Sequence, residues 1–124
     1  MEYPNYIKYT REHVWVLVEE NTAKIGVTDY AQDQLGDILY VDLPEIDTVL
    51  SAGDVFTELE SSKTTTEVPT PISGEVINVN EDLDDSPELI NDDPYGAWIV
   101  EISISDPDEL EELLSADEYE IGLE

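Results

Sequence analysis

The residues of this chain that could do chemistry are few, and one amine stands apart. Lys8, Lys24 and Lys63 are its lysines and Arg11 its single arginine. Lys63 lies in Glu60-Ser61-Ser62-Lys63-Thr64, between two strand-like runs, Val55 to Glu60 and Thr65 to Val68. Gly53 precedes it by 10 residues and Gly74 follows it by 11, so the spacing predicts a near-symmetric hairpin with Lys63 at its tip. An amine held there is open from all sides, as an enzyme that modifies it covalently requires. The same placement suits a solvated turn lysine that offsets Glu58, Glu60 and Glu67, and spacing alone leaves both readings open. Other chemistries are closed. The absence of cysteine removes disulfides, thiolate metal sites and cysteine nucleophiles. His13 is the only histidine, so no histidine-pair metal site or catalytic dyad is available within the chain. Asp82, Asp84, Asp85, Asp92 and Asp93 lack the central glycine and terminal glutamate of a calcium loop and read as a solvated acidic segment.

The elements that must hold Lys63 follow from period-two patterning. His13 to Glu20 is rich in β-branched and aromatic residues and reads as a strand, and Ala23 to Val27 returns after a turn at Asn21-Thr22. Thr28 caps a short helix over Asp29 to Leu35, with Gly36 at its C′ position. Ile38 to Leu43 is a third strand, stopped by Pro44, and Val49-Leu50 a very short one. Pro69 and Pro71 mark Thr65 to Val68 as an edge strand. Ala52-Gly53-Asp54 and Ser73-Gly74-Glu75 read as matching turns, a hint of internal two-fold symmetry. The strand Val76 to Val79 follows, then an irregular acidic stretch with one helical turn after Ser86-Pro87, then a last strand over Trp98 to Ile104. Asp106-Pro107-Asp108-Glu109 opens a C-terminal helix with a capping box, its Leu110, Leu113 and Leu114 on one face. Ser115 caps a final turn carrying Tyr119 and Ile121. Short strands with Gly/Pro turns and small helices predict an antiparallel sandwich or flattened barrel.

The length of 124 residues matches a single domain, and the 40% of hydrophobic residues supplies one modest core. Four Lys+Arg against 32 Asp+Glu give a net charge of −28. Four scattered cations build no basic patch for nucleic acid, and the same repulsion opposes an anionic membrane surface. Met1-Glu2-Tyr3-Pro4 lacks the basic-then-apolar pattern of a signal peptide, and no apolar run is long enough to cross a bilayer. The expectation is a soluble, cytoplasmic, monomeric domain over residues 1–124. Acidity of this degree reads as an adaptation to a salty solvent, with basic partners the competing explanation.

An ordered set of segments carries a resemblance. Lys8-Tyr9-Thr10, His13-Val14-Trp15-Val16, the run from Ile25 to Asp37, Val41-Asp42-Leu43-Pro44, Glu60-Ser61-Ser62-Lys63, Pro71 to Val76, Ser86 to Asn91 and Asp93-Pro94-Tyr95-Gly96 follow one another as in the H-protein family of the glycine cleavage system. The resemblance implies a mainly β fold, the lipoyl/biotinyl-type sandwiched barrel (hammerhead) with short added helices, including a C-terminal one. It implies a non-catalytic carrier with lipoic acid in amide linkage to Lys63. Glu60, Ser61 and Ser62 would be recognised with the lysine. Glu67 would help dock the arm, and His13 would either line the arm's resting groove or serve as a structural histidine at the end of its strand. The implied partners are glycine decarboxylase, aminomethyltransferase, dihydrolipoyl dehydrogenase and the lipoate-attaching enzymes. Biotin carriers share the architecture but flank their lysine with methionine, where this chain has Ser62 and Thr64.

The chain also departs from the family pattern. Val14 stands where the family has a glutamate suited to holding an amine, so Glu12, Glu67 or another nearby carboxylate would have to replace it. Ser62, Thr64 and Glu67 replace the family's Val, Ala and Asp. A Gly-x-Gly-Trp segment is shortened to Gly96-Ala97-Trp98. These differences admit an alternative: an H-like carrier that relays lipoyl groups outside glycine cleavage.

The charge generates a first prediction. Raising salt from 0.15 M to 1 M shortens the Debye length from about 8 Å to about 3 Å and removes like-charge repulsion. The melting temperature is expected to rise steeply over that range in potassium chloride. A flat response would instead assign the acidity to a basic partner surface.

Overall fold

A computed structural model describes residues 2–123. Its first half contains β1 (Lys8–Tyr9), β2 (Val14–Glu19), β3 (Thr22–Val27), α1 (Asp29–Leu35) and β4 (Ile38–Asp42). Then come β5 (Val49–Leu50), β6 (Val55–Ser61), β7 (Thr65–Pro69) and β8 (Gly74–Val79). Two one-turn helices, α2 (Asp82–Asp85) and α3 (Leu89–Asp92), lead to β9 (Val100–Ile104). A 3₁₀ helix (Pro107–Glu112) and α4 (Ala116–Gly122) end the described chain. The fold is mainly β, with short helices that include a C-terminal one.

The strands form a six-stranded sheet in the order β1-β2-β3-β9-β8-β5 and a three-stranded sheet in the order β4-β6-β7. Neighbouring strands run antiparallel throughout. Alternation along β2 shows why the sheets stack. Val14 and Val16 face a core shared with Ile25, Val100 and Ile102 of their own sheet and with Val41, Leu59 and Val68 of the other. Trp15 points the opposite way, into a second cluster with Ile7, Tyr9, Ala116 and Tyr119. The larger sheet thus packs one face against the smaller sheet, while α4 and the N-terminal segment cover its other face only around β1 and β2, leaving Glu75 and Ile77 of β8 exposed. The two sheets remain separate and do not close into one hydrogen-bonded barrel. Among the described residues no helix is long and apolar enough to cross a membrane.

Several elements differ from expectation. Gly74 is not a turn residue. It pairs with both Leu50 and Ile104, and a Cβ there would lie 2.2 Å from the Ser103 carbonyl oxygen, so this glycine permits close strand approach. The two matching turn signals therefore do not form equivalent structures. The last strand begins at Val100 and not at Trp98. The acidic stretch holds two helical turns where one was expected. Leu83 and Ile90, both 0% exposed, fasten them to the main core.

The segment after Asp106 is 3₁₀ in place of α, and its capping box does not form. Asp106 accepts from the Asp108 N–H as expected of a cap. Glu109, however, turns away and accepts from the N–H and hydroxyl of Ser73 at 2.6 and 2.9 Å. Leu110 and Leu113 pack on the main core while Leu114 joins the second cluster, so the three leucines do not share one face. A full capping box forms at α4 instead, between Ser115 and Glu118.

Candidate functional site

The β6–β7 hairpin ends in a tip organised by one hydroxyl. Ser61, 7% exposed, closes β6. Its N–H donates to the Thr64 carbonyl at 2.8 Å, and its hydroxyl donates to the same carbonyl at 3.0 Å. The Ser61 hydroxyl also accepts the N–H groups of Lys63 and Thr64 at 3.2 and 3.1 Å. Three short contacts on one oxygen fix the backbone on both sides of the lysine while leaving its side chain exposed. A serine is suited to this role because its hydroxyl both donates and accepts close to its own backbone.

The tip also rests on the α1–β4 connection. The Ser62 N–H donates to the Asp37 carbonyl at 2.9 Å. Gly36, with φ +81°, ends α1 and faces the lysine stem: a Cβ there would lie 3.3 Å from Lys63 Cε and 3.2 Å from Ser62 Oγ. Glycine at this position meets two demands together, the left-handed backbone of the helix stop and room beneath the lysine. Ser62, Lys63 and Glu60 are all exposed. Glu60 pairs with Tyr40 on one side and Thr65 on the other, so its carboxylate stands just below the tip.

Glu67 lies farther down β7, opposite Glu58 in the register. It lines a groove of about 250 Å³ whose walls include Glu12, His13, Gln34, Leu35 and Thr66. Thr66 is three residues from Lys63, so the groove opens no more than about 11 Å of extended chain from the tip. Val14 is 0% exposed within the main core and is not among the groove's walls, which leaves Glu12 and Glu67 as its carboxylates.

His13 enters this groove with a left-handed backbone, φ 68°. The Thr28 N–H donates to its carbonyl and its own N–H donates to Thr10, at 3.1 Å each. The ring packs 4.7 Å from Tyr30, and Nδ1 lies 2.7 Å from the Tyr119 hydroxyl. That hydroxyl lies 2.8 Å from Thr28 Oγ1, which accepts the Ala31 N–H at the start of α1. Burial lowers the His13 pKa, opposed by the charge of Glu12. Burial, more than any hydrogen bond, pushes the Tyr119 hydroxyl up to about 12. Both groups are therefore neutral near pH 7. A continuous hydrogen-bonded chain thus links Thr28 Oγ1, the Tyr119 hydroxyl and His13 Nδ1.

The structure thus gathers Glu60, Ser61, Ser62 and Lys63 at one tip and places Glu67 and His13 together in the neighbouring groove. Gly36 was legible only as a helix stop and Asp37 only as the end of the run from Ile25, and no local signal shows that they lie under the lysine. Gln34 gave no signal as a groove residue. Among the described residues no group of three or more His, Asp or Glu side chains is placed to hold a metal ion.

Comparison with known proteins decides the family. The glycine cleavage H-protein family model matches residues 7–124. The chain belongs to the glycine cleavage H-protein family. It is 55% identical over 120 residues to a glycine cleavage system H protein of Staphylococcus epidermidis, covering 96% of this chain and 95% of that one. It is 51% identical to the corresponding protein of Staphylococcus haemolyticus over the same shares. The crystal structure of a glycine cleavage system H protein from Mycobacterium marinum superposes with a TM-score of 0.89 at 34% identity, covering 97% of this chain and 98% of that one. The two-sheet arrangement with short added helices is therefore the fold of this H-protein family.

The depressed pKa of His13 has a consequence for stability. Between its folded value and the usual 6.5, the unfolded chain binds more protons, so stability rises with pH there and is lost as pH falls. His13→Asn tolerates the left-handed backbone and removes the titration. Denaturant unfolding from about pH 8 to about pH 5.5 is expected to show wild type losing stability relative to this variant. A constant difference across the range would contradict the assignment.

Proposed function

We propose that residues 1–124 form one carrier domain of the glycine cleavage system, with lipoic acid joined in amide linkage to Lys63. The single observation that carries this is the tip itself: a backbone fixed by Ser61 and Asp37 under an exposed lysine stem, in a chain of this family. In the attachment an amide bond joins Lys63 Nζ to the lipoyl carboxyl carbon, the amine loses a proton, and the activating group leaves the acyl donor. Neither Lys8 nor Lys24 offers an equivalent. Lys8 lies in β1, and Lys24 lies in β3 with its amine 5.4 Å from the Trp98 ring.

The residues present fit the group. A free stem, a backbone that does not move with it, and a groove within reach that has apolar as well as acidic walls are what a tethered arm needs. When bound, the lipoyl dithiolane supplies the sulfur chemistry that carries an aminomethyl group. The chain supplies the rest. Ser61 and Asp37 hold the attachment point. Leu35 offers apolar contact, and Glu12 and Glu67 offer negative charge to an ammonium in the groove. The protein itself catalyses nothing in this reading. It visits glycine decarboxylase, aminomethyltransferase and dihydrolipoyl dehydrogenase in turn, and tethering raises the effective concentration of the arm at each. The retained carboxylates of the groove favour this reading over a lipoyl relay outside glycine cleavage.

Co-expression with a lipoate-attaching enzyme followed by peptide mapping is expected to place the adduct on Lys63 alone. Lys63→Arg should abolish it without loss of fold, because an exposed tip side chain buries little. An adduct on Lys24 with Lys63 bare would overturn the attachment site. Lipoylated wild type should also support glycine–bicarbonate exchange with glycine decarboxylase, and failure there would favour the relay carrier.

A further inference from the structure

The tip leans on residues 36–38, and those residues are in turn gripped from behind. Gly36 lies under the Lys63 stem, the Asp37 carbonyl holds the Ser62 N–H, and Ile38 stands opposite Ser61 in the β4–β6 register. Gly36 and Asp37 form the two-residue connection between α1 and β4, and Ile38 opens β4. One side chain spans the connection. Asn91, on α3, donates from Nδ2 to the Gly36 carbonyl at 2.9 Å and to Gln32 Oε1 at 3.0 Å. Its Oδ1 accepts the Ile38 N–H at 2.9 Å. Both amide hydrogens and the carbonyl are used, so the carboxamide is matched to its three partners. It grips the residues on either side of Asp37 and leaves the Asp37 carbonyl free to face the tip.

We propose that Asn91 is a positioning residue for Lys63, acting through Gly36, Asp37 and Ser62, more than 50 residues away from them all except Ser62 and Lys63 in sequence. The inference rests on the reading of Lys63 as the modified lysine. The anchor is rigid enough for the role: its neighbour Ile90 is 0% exposed in the main core. Gln32, the third partner, is itself tied to Asp29 at 2.8 Å, so the grip extends along α1. The chemistry requires an amide. An aspartate would keep the acceptor for the Ile38 N–H but set a carboxylate oxygen against the Gly36 carbonyl and Gln32 Oε1. With the grip lost, the Asp37 carbonyl would wander and the Ser62 N–H would lose its fixed acceptor. The lysine would then be presented in the right place for only a fraction of the time.

The test is hydrogen exchange on the unmodified protein, followed by kinetics of lipoyl attachment. In Asn91→Asp the Ser62 amide is expected to exchange about tenfold faster, while the Thr70 amide, bonded to the Asp54 carbonyl at the far end of the same hairpin, keeps its rate. A lipoate-attaching enzyme should show a KM for the variant raised about tenfold with kcat little changed, because only the competent population falls. Unchanged Ser62 exchange would overturn the proposal. So would equal acceleration at Ser62 and Thr70, which marks general destabilisation. If Asn91→Asp does not fold, Asn91→Ser, which shortens the reach but keeps a hydroxyl, is read by the same two amides. Should wild-type Lys63 accept no lipoyl group, the exchange result still judges the brace, and the attachment reading fails separately.

Discussion

The Ser61 hydroxyl, bonded to the backbone of Lys63 and Thr64, is the contact on which the site depends. Under the proposed function, a lysine that carries a cofactor faces opposite demands. Its side chain must stay free to swing, and a lysine side chain holds about 2 kcal/mol of rotamer entropy that docking it permanently would forfeit. Its attachment point must nevertheless be fixed, so that separate enzymes meet it in one geometry. Only the backbone can satisfy the second demand without violating the first. The turn resolves the conflict by spending a neighbouring side chain on the backbone and none on the lysine.

The rest of the fold extends that fixed point into the molecule. β6 lies between β4 and β7 in the smaller sheet, and Leu59 buries it in the core shared with the larger sheet. The connection from α1 to β4 then meets the tip from the side through Gly36 and Asp37. The same helix begins at Thr28, where the His13–Tyr119 hydroxyl chain ties it to α4. Both ends of α1 are thus tied to distant parts of the chain, one beside the groove and one under the lysine. Charge runs against this economy. Glu58 and Glu67 stand opposite each other on β6 and β7, an unfavourable pairing that surface exposure and salt make tolerable.

What the sequence made legible was local. Thr28 and Gly36 marked α1 because a hydroxyl cap and a left-handed stop are decided within a few residues. The β-branched and aromatic residues of β2 and β3 marked strands because such side chains suit a pleated surface. The tip was visible because glycines bracket it at similar distances. The long-range contacts were not legible. Glu109 left its own helix for Ser73, 36 residues away, and so the expected capping box failed. Gly74 read as a turn because its close approach to Ser103 comes from strand packing that no neighbouring residue announces. Ser61 was visible as part of a motif, but its hydrogen bonds become apparent only once the turn is built.

The most direct test is the rate at which a lipoate-attaching enzyme modifies Ser61→Ala and Ser61→Thr, measured below saturation with melting temperatures recorded alongside. A lost hydroxyl leaves two tip N–H groups unheld, a change of about 1–2 kcal/mol. kcat/KM for the alanine variant is therefore expected to fall about tenfold while the threonine variant, which keeps the hydroxyl, stays near wild type. An alanine variant modified at the wild-type rate would contradict the claim that a backbone held by Ser61 makes Lys63 the acceptor.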